Sequence, residues 1–549
     1  MNNYTEINLD KRRKLFNFNK NSLSVVILIF FHFLMNIWWI FHNNVPLNWD
    51  PSIHIMNTYK FTNSIPTFLL NFNIIEFLKI SNYYPIFIYI LNIPLLFISN
   101  GNYKILLLSG TLFFSMTIIF LYLYSSKLFN NKNIGFLTVF FFSFFITIYQ
   151  SSREYMLDIP LTALIMSCLY FLEKGRQKNK AKYIYMFFLI FAFAQLTKWY
   201  AFIYLLIPTL FFTVNNFRQI KSTYINHIAK AIIIFITIVL PWYMVNFDTI
   251  LGKSSRAWIG EIVDKVNSFS WEQILLHLKL IILFQTNFFG FLFLIVSVYF
   301  IIKNKSHRKF ELLAMVLFLY LFFSFIPNKN IRYLIPLMPF IAMIMAYGVH
   351  YLIETKKILF IFLSSFLIFY YIFSFFVLSF GIPIFPRYKF SLRLPLINWI
   401  DLYYLADYPV KIIYDENMWP QQQIVNDIKN ITNKNTALFL CADRYLLNAD
   451  NFNLIMMMNH VDNIQLSSYY QLQEMKEFLK DFEFILIPKN HVIGEEKNYV
   501  SYKPLSKFQQ YFLSGNATNY SLIKTYFLPS SQSLIDDSDI LYLYKKQAP

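Results

Sequence analysis

The sequence predicts a polytopic α-helical membrane protein with about eleven transmembrane helices and a C-terminal soluble domain of the α/β or α+β class. Only 14% of the 549 residues are charged, whereas a typical soluble protein has roughly 25%. Apolar runs long enough to cross a bilayer recur from residue 23 to residue 380. Beyond that point the apolar runs shorten to strand length, which indicates that the chain has left the membrane.

The N-terminal segment 1–22 is basic, with KRRK at 11–14, and is predicted to be cytoplasmic. The apolar stretch that follows, from about 23 to 42, is longer than the core of a signal peptide and has no small-residue cleavage site. We therefore expect a retained first helix, which begins a transmembrane domain of residues 23–380.

Eleven segments of this domain have roughly the length and apolarity of a membrane span. They lie near 23–43, 105–125, 134–150, 159–173, 184–196, 199–214, 231–245, 280–302, 311–326, 333–353 and 358–380. Another apolar stretch, 83–98, contains Pro85 and Pro94 and follows an amphipathic segment. We expect it to lie along the membrane surface rather than to cross.

The distribution of Lys and Arg predicts the orientation. If 83–98 does not cross, the loops on the N-terminal side carry 21 Lys and Arg in 68 residues, and the opposite loops carry 10 in 112. Because cytoplasmic loops are enriched in these residues, we predict a multi-pass protein of the plasma (inner) membrane with a cytoplasmic N-terminus and an outer C-terminal domain. Residues 67–98 then form juxtamembrane helices in the first outer loop. The basic excess is explained by orientation, so nucleic acid is not an expected partner.

The first outer loop contains NWDPSIHIMNTYKF at 48–61. Asp50 precedes Pro51, a residue suited to a first helical turn, and His54 follows one turn later on the same face. In the simpler interpretation Asp50 caps the helix and His54 is solvated. Alternatively the pair holds a divalent metal, for which two ligands are a weak signal, or His54 positions a phosphate. Lys60 is a further candidate for contact with substrate or metal.

The second outer loop contains SSREYMLDIPLTALI at 151–165. A carboxylate at the centre of a membrane helix costs roughly 2.5–3.5 kcal/mol on insertion scales, and less near the interface. Asp158 is therefore either an N-cap among the lipid headgroups or a second carboxylate that faces the same outer cavity as Asp50. Arg153 and Glu154 are candidates for contact with substrate or metal.

Three cations are predicted at outer helix ends. Lys198 lies in LTKWY at 196–200, and Lys329 and Arg332 lie in PNKNIRYLIPLMP at 327–339. Such cations usually snorkel to the interface as anchors. Beside carboxylates they also suit an anionic headgroup, since Arg can grasp phosphate oxygens in a bidentate manner.

Together these stretches resemble the dolichyl-phosphate-mannose–protein mannosyltransferase family and its aminoarabinose transferase relatives that modify lipid A, which are membrane glycosyltransferases of the C superfamily. The matching stretches occur in the family's order. They are NWDPSIHIMNTYKF at 48–61, YYPIFIYIL at 83–91, SREYMLDIPL at 152–161, LTKWYAFIYLLIP at 196–208, LPWYMVN at 240–246 and NKNIRYLIPLMP at 328–339.

The resemblance implies an inverting glycosyltransferase that moves a hexose or pentose from a polyprenyl-phosphate donor to an envelope acceptor, which is a lipid, a glycan or a protein. It implies that Asp50 is the catalytic carboxylate and that Asp158 helps to position donor or acceptor. Lys198, Lys329 and Arg332 match family positions near the donor phosphate.

Two positions depart from the family pattern. An acidic residue usually follows the first-loop Asp, but here the next residue is Pro51, which argues against a paired carboxylate and a bridging metal. The usual Lys-Gly step reads Lys198-Trp199, which changes the wall of the expected pocket.

Residues 385–549 are predicted to form the soluble domain. Four runs have the length of strands, and they are 437–442, 482–488, 522–528 and 539–546. Between them, 418–431 and 469–482 have helical spacing. This alternation predicts an α/β or α+β domain.

Two other functions are compatible with a polytopic membrane protein. A transporter or flippase of a lipid-linked saccharide is expected to have ionisable groups in mid-span and an internal repeat, and neither is evident in the sequence. A non-catalytic scaffold of envelope assembly would not need two carboxylates at the same outer face.

Overall fold

The computed structural model describes residues 20–178, 180–215, 225–259, 271–303, 307–326, 330–380, 389–392, 400–403, 419–432, 434–444, 446–468, 475–490, 502–528 and 540–547. Residues 1–19 of the predicted cytoplasmic segment lie outside this part of the chain. The predicted limits of the three regions, 1–22, 23–380 and 385–549, stay predictions.

The described chain up to residue 380 is helical. Its helices are α1 Lys20–His42, α2 Trp49–Asn71, α3 Ile74–Lys79, α4 Phe87–Ile98, α5 Tyr103–Leu128, α6 Lys132–Phe144, α7 Ile146–Ser151, α8 Asp158–Lys178, α9 Ala181–Gln195, α10 Ala201–Asn215, α11 Ile225–Ile259, α12 Trp271–Ile281, α13 Asn287–Lys303, α14 His307–Phe325, α15 Met338–Glu354 and α16 Ile358–Phe380. A π-helical turn, Ile282–Thr286, joins α12 to α13, and a 3-10 turn, Ile331–Leu337, leads into α15.

Each of the eleven predicted spans overlaps one of these helices. Among the residues that the structure describes, five helical segments are long and apolar enough to cross a membrane. They are Asn21–His42, Tyr103–Leu128, Ile225–Lys253, Ile331–Glu354 and Ile358–Phe380. Shorter apolar helices pack beside them. The chain is therefore a polytopic membrane protein, and the exact number of crossings stays a prediction.

Several predicted spans differ in detail from the structure. The segment 280–302 begins in the last two residues of α12 and includes the π-helical turn before α13. The segment 134–150 is not one helix, because Phe145 is extended (φ −65°, ψ 133°) and separates α6 from α7. Helix α11 continues to Ile259, well beyond the predicted end at residue 245. Helices α2, α3 and α4 lie between α1 and α5 along the chain, and the position of residues 67–98 along the outer membrane surface stays a prediction.

Close packing of α5 fixes the second outer loop. A Cβ atom on Gly110 would lie 2.6 Å from the carbonyl oxygen of Glu154, so only glycine allows this approach. The hydroxyl of Thr111 donates to the carbonyl oxygen of Ser152 (3.0 Å), and the Asn36 amide donates to the Ser152 hydroxyl (2.8 Å). The segment before α8 is thereby held by contacts with both α5 and α1.

The described residues after 380 form two sheets and several helices. Strands β1 Lys389–Leu392 and β2 Ile400–Tyr403 pair antiparallel. The larger sheet has the order β4-β3-β5-β7-β6. Its strands are β3 Thr436–Leu440, β4 Ile464–Ser467, β5 Phe484–Pro488, β6 Tyr520–Phe527 and β7 Ile540–Lys546. Strands β3, β4 and β5 are parallel, whereas β7 runs antiparallel to both of its neighbours, β5 and β6.

Helices cover both faces of this sheet. They are α17 Gln421–Ile431, α18 Ala449–Met458, α19 Met475–Phe478 and α20 Tyr502–Tyr511. Buried apolar side chains form a separate cluster on each face. The four predicted strands and the helix at 418–431 are present, but β4, α18 and α20 were not predicted. Residues 469–474 of the other predicted helix lie outside the described chain.

Candidate active site

The first turn of α2 presents Asp50. Its side chain forms an ion pair with the guanidinium of Arg332, and the hydroxyl of Tyr84 donates a hydrogen bond to Oδ1 (3.3 Å). Burial alone would raise the pKa of the Asp50 carboxyl, but the positive charges of Arg332 and Lys198 outweigh burial and hold the pKa below its usual value. Asp50 is therefore a carboxylate at neutral pH.

The second carboxylate, Asp158, is the first residue of α8 and is 1% exposed. Lys198 Nζ donates to its Oδ1 at 2.7 Å and also to the hydroxyl of Tyr200 at 3.0 Å. Asp158 Oδ2 is buried without a hydrogen-bond partner in the described structure. A buried carboxylate oxygen of this kind retains the capacity to accept a hydrogen bond.

The sequence explains how the two cations reach the carboxylates. Lys198 lies in the short turn between α9 and α10, and Arg332 in the 3-10 turn before α15. Asn330 caps that turn, because its Oδ1 accepts from the backbone N–H of Arg332 (3.0 Å) and from its Nε (3.2 Å). These turns present long cationic side chains at one end of the helices, where α2 and α8 begin.

His54 faces the same cluster from the second turn of α2. Its Nδ1 shares a hydrogen bond with the hydroxyl of Tyr89 (2.8 Å), and its ring packs against the edge of Tyr84, with centroids 4.7 Å apart. Burial lowers the pKa of His54 to about 4, although the charge of Asp50 opposes this effect. The imidazole is therefore neutral at pH 7 and adds no positive charge.

The structure brings five predicted residues into one electrostatic cluster. His54 interacts electrostatically with Asp50, Asp158, Lys198 and Arg332, and Arg332 interacts with both carboxylates. These five residues come from four separate segments of the chain. In the resting arrangement each carboxylate has one cation as its direct partner.

Tyrosines that the sequence did not single out line this cluster. Tyr84 and Tyr200 contact the two ion pairs, and Tyr83 accepts a hydrogen bond from the Trp199 indole N–H (3.0 Å). The Tyr204 hydroxyl donates to the carbonyl oxygen of Tyr333 (2.9 Å), which ties α10 to the Arg332 turn. The YY pair at 83–84 belongs to a stretch that resembles the family, but Tyr is frequent throughout this chain, so neither residue was predicted to contact the site.

The other predicted contact residues are not in the cluster. The guanidinium of Arg153 is 5.3 Å from the ring centroids of Trp39, Tyr149 and Phe375, and its Nε donates to Asn36 (2.9 Å). Arg153 and Glu154 also line a cavity beside the ends of α1 and α5.

Lys60 is exposed on α2. By the helical rise of 1.5 Å per residue, it lies roughly 15 Å along the axis from Asp50. Lys329 lies outside the described residues, so its predicted position near the donor phosphate stays a prediction.

The cluster is a poor fit for a divalent metal. In the described part of the chain, no group of three or more His, Cys, Asp and Glu side chains is arranged to hold one. Asp50 and Asp158 are each paired with a cation, and His54 Nδ1 is bonded to Tyr89. The arrangement instead suits an anion that can replace a carboxylate as the partner of Arg332 or Lys198.

Comparisons with known proteins support the resemblance. Residues 84–244 match the family model described as dolichyl-phosphate-mannose-protein mannosyltransferase. No curated protein sequence matches the chain. The crystal structure of ArnT from Cupriavidus metallidurans bound to undecaprenyl phosphate has a TM-score of 0.54 at 12% identity, over 94% of this chain and 97% of that one. Its apo state gives 0.53 at 12%, over 95% and 98%.

These matches confirm the resemblance to the membrane glycosyltransferase family that the sequence motifs predicted. The family match covers Tyr84, the segment 151–158 and the Lys198 turn. At 12% identity the structural similarity shows a shared fold, which extends over almost the whole chain.

Proposed function

We propose that this protein is an inverting glycosyltransferase that moves a sugar from a polyprenyl-phosphate donor to an envelope acceptor, a lipid, glycan or protein, at the outer face of the membrane. The observation that carries the proposal is the convergence of two acid–cation pairs, Asp50–Arg332 and Asp158–Lys198, at one end of a membrane helix bundle. The family match over 84–244 supports the same chemistry.

In the proposed reaction, Asp50 is the general base. An acceptor hydroxyl oxygen attacks the anomeric carbon from the face opposite the phosphate, and its proton passes to a carboxylate oxygen of Asp50. The bond between the anomeric carbon and the phosphate oxygen breaks, and the electron pair leaves with the lipid phosphate. Arg332 and Lys198 stabilise the charge that develops on this leaving group.

The resting ion pairs give this mechanism a starting state. Arg332 holds the pKa of Asp50 below its usual value, and a weaker base accepts a proton less readily. When the donor phosphate binds Arg332, it competes with Asp50 for the guanidinium. The Asp50 carboxylate then faces less positive charge and becomes a stronger base as the donor enters.

Asp158 has a supporting role in this proposal. Its Oδ1 orients the Lys198 ammonium toward the cluster, while its buried Oδ2 can accept a hydrogen bond from a sugar or acceptor hydroxyl. Lys329 precedes Arg332 by three positions, and we propose that it binds the same phosphate. Arg153 has a structural role beside the site, because it packs among aromatic rings.

The orientation that this function requires is the one predicted from loop charge. The protein spans the plasma (inner) membrane. Its N-terminus is in the cytoplasm, and the region after residue 380 is on the outer side. A lipid-linked donor fits this site, because its tail stays in the bilayer while its phosphate reaches the cations at the helix ends.

The test uses purified full-length protein in liposomes that contain a polyprenyl-phosphate sugar and an envelope lipid extract as acceptor. We expect Asp50→Asn to abolish transfer while the protein still folds, because the change removes charge and little volume. Lys60→Gln is the matched control, since Lys60 is exposed on the same helix. Normal transfer by Asp50→Asn would overturn the assignment. Donor flipping without transfer by the parent protein would favour the flippase alternative.

A further inference from the structure

Helix α18 joins the C-terminal region to the helix that carries Asp50. It packs against α2, and Leu454 of α18 is buried in the main hydrophobic core of the membrane region. Met457 and Met458 are partly buried against the same core. The C-terminal region therefore packs through apolar side chains against the helical region that includes α2.

A hydrogen bond also joins the two regions next to Asp50. The indole N–H of Trp49 donates a hydrogen bond to Oδ1 of Asp443 at 2.7 Å. Trp49 is the first residue of α2 and directly precedes Asp50. Asn48, the N-cap of α2, makes no side-chain capping bond, so the first turn lacks the usual stabilisation at that position.

Asp443 is itself held by a well-bonded turn between β3 and α18. The backbone N–H of Arg444 donates to the carbonyl oxygen of Leu447 (2.9 Å). Asn448 caps α18 through the backbone N–H of Asn451 (3.1 Å), and its amide donates to the carbonyl oxygen of Arg444 (3.1 Å). The accepting carboxylate thus lies beside hydrogen-bonded residues that connect the carboxyl end of β3 to α18.

We infer that Asp443 is a positioning residue, which acts through Trp49 to fix the first turn of α2 and hence the Asp50 carboxylate. The inference rests on the proposed function. Hydrogen bonds to an ionised acceptor are roughly twice as strong as neutral ones. A displacement of about 1 Å in a reacting group can cost roughly a hundredfold in rate, so a bond at the neighbouring residue matters for catalysis.

A second acidic residue, Asp450, also indicates that the C-terminal region lies close to Asp50. Burial and the negative charges of Asp50 and Asp443 together raise the pKa of Asp450, in the first turn of α18, to about 6. The carboxyl group of Asp450 is therefore close enough to Asp50 for the two charges to interact.

The test is a double-mutant cycle in the full-length protein. Trp49→Phe removes the N–H but keeps most of the ring, and Asp443→Ala removes the acceptor. We expect each to lower kcat by about tenfold with little change in the KM for the lipid donor, and the double variant to lose no more than either single variant. Asp443→Asn should retain most activity, because its amide oxygen can still accept the bond.

The control is Asp427→Ala in α17, where Asp427 bonds to the edge strand β6. Asp427 accepts hydrogen bonds from Lys524 and Tyr526, each at 2.7 Å, so its loss tests damage to the sheet alone and should leave kcat unchanged. Additive losses in the Trp49 and Asp443 variants, or full kcat in Asp443→Ala, would overturn the positioning role and leave the proposed function intact. A parent protein that transfers no sugar would overturn both.

Discussion

Arg332 and Asp50 form an ion pair that joins the turn before α15 to the first turn of α2. Their side chains are 29% and 24% exposed, so the pair is only partly screened by water. The contact joins two segments that are far apart in the sequence, and it lies where the reaction is proposed to occur. Its removal should therefore affect both stability and transfer.

We expect Arg332→Gln to lower kcat/KM for the lipid donor by about a hundredfold or more, because a stabilising charge is lost from the leaving phosphate. The variant should also unfold at a lower temperature, since a partly buried carboxylate loses its partner. The double variant Asp50→Asn with Arg332→Gln should regain stability but not transfer. Kinetics and thermal unfolding in the same detergent measure both. Near-normal kcat/KM in Arg332→Gln would remove Arg332 from the site.

Lys198→Met should destabilise the protein strongly, because Asp158 is 1% exposed and would lose its ion-pair partner. Loss of one member of a buried pair typically costs about 3–5 kcal/mol. Adding Asp158→Asn should recover much of this loss, and thermal unfolding of the four proteins measures the coupling. Additive effects would mean that the 2.7 Å contact contributes little. The exposed pair Lys480–Glu477 is a control, for which a small effect is expected.

The protein should lose stability as the pH falls from about 6.5 to about 4, in part through His54. Burial lowers the pKa of His54 from 6.5 to about 4, so in this window the unfolded state binds a proton that the folded state excludes. The contribution of neutral His54 to stability is therefore fully present above pH 6.5, the unfolded-state pKa, and is lost as the pH falls toward 4. His54→Gln should flatten this part of the profile of unfolding temperature against pH. An unchanged slope would show that His54 does not titrate in this way.

Residues on the sheet and at the opposite end of the bundle should face different sides of the membrane. The native cysteines, Cys168 and Cys441, are both buried, which allows single exposed cysteines to be labelled selectively. A membrane-impermeant maleimide should label Ser521→Cys in intact cells, and label Lys357→Cys only after permeabilisation. The reverse pattern would overturn the predicted orientation.

The sequence predicted the acidic and basic members of the cluster well, because charged residues at the ends of apolar segments are costly and therefore conspicuous. Asp50, Asp158, Lys198 and Arg332 were all identified in this way. Their pairing could not be predicted, since it depends on how α2, α8 and the two turns pack. Arg153 was identified by the same criterion, yet it packs among aromatic rings with Asn36.

The C-terminal region was harder to predict in full. Strands β3 and β5 are continuous apolar runs, whereas β4 is short and polar in part, and only its parallel pairing with β3 makes it a strand. Helix α18 has a capping signal at Asn448, but the Asn-rich composition of the chain concealed it. The contact of α18 with α2 is a tertiary feature that no local pattern encodes.

The position of β7 between β5 and β6 has a consequence for biosynthesis. Among the described strands, β7 is the last to leave the ribosome, yet it fills an interior place in the sheet. Strands β3, β4 and β5 can pair before it is made, but β6 has no described partner until β7 arrives. The sheet that bears Asp443 is therefore complete only after the helices that precede it have been synthesised and inserted.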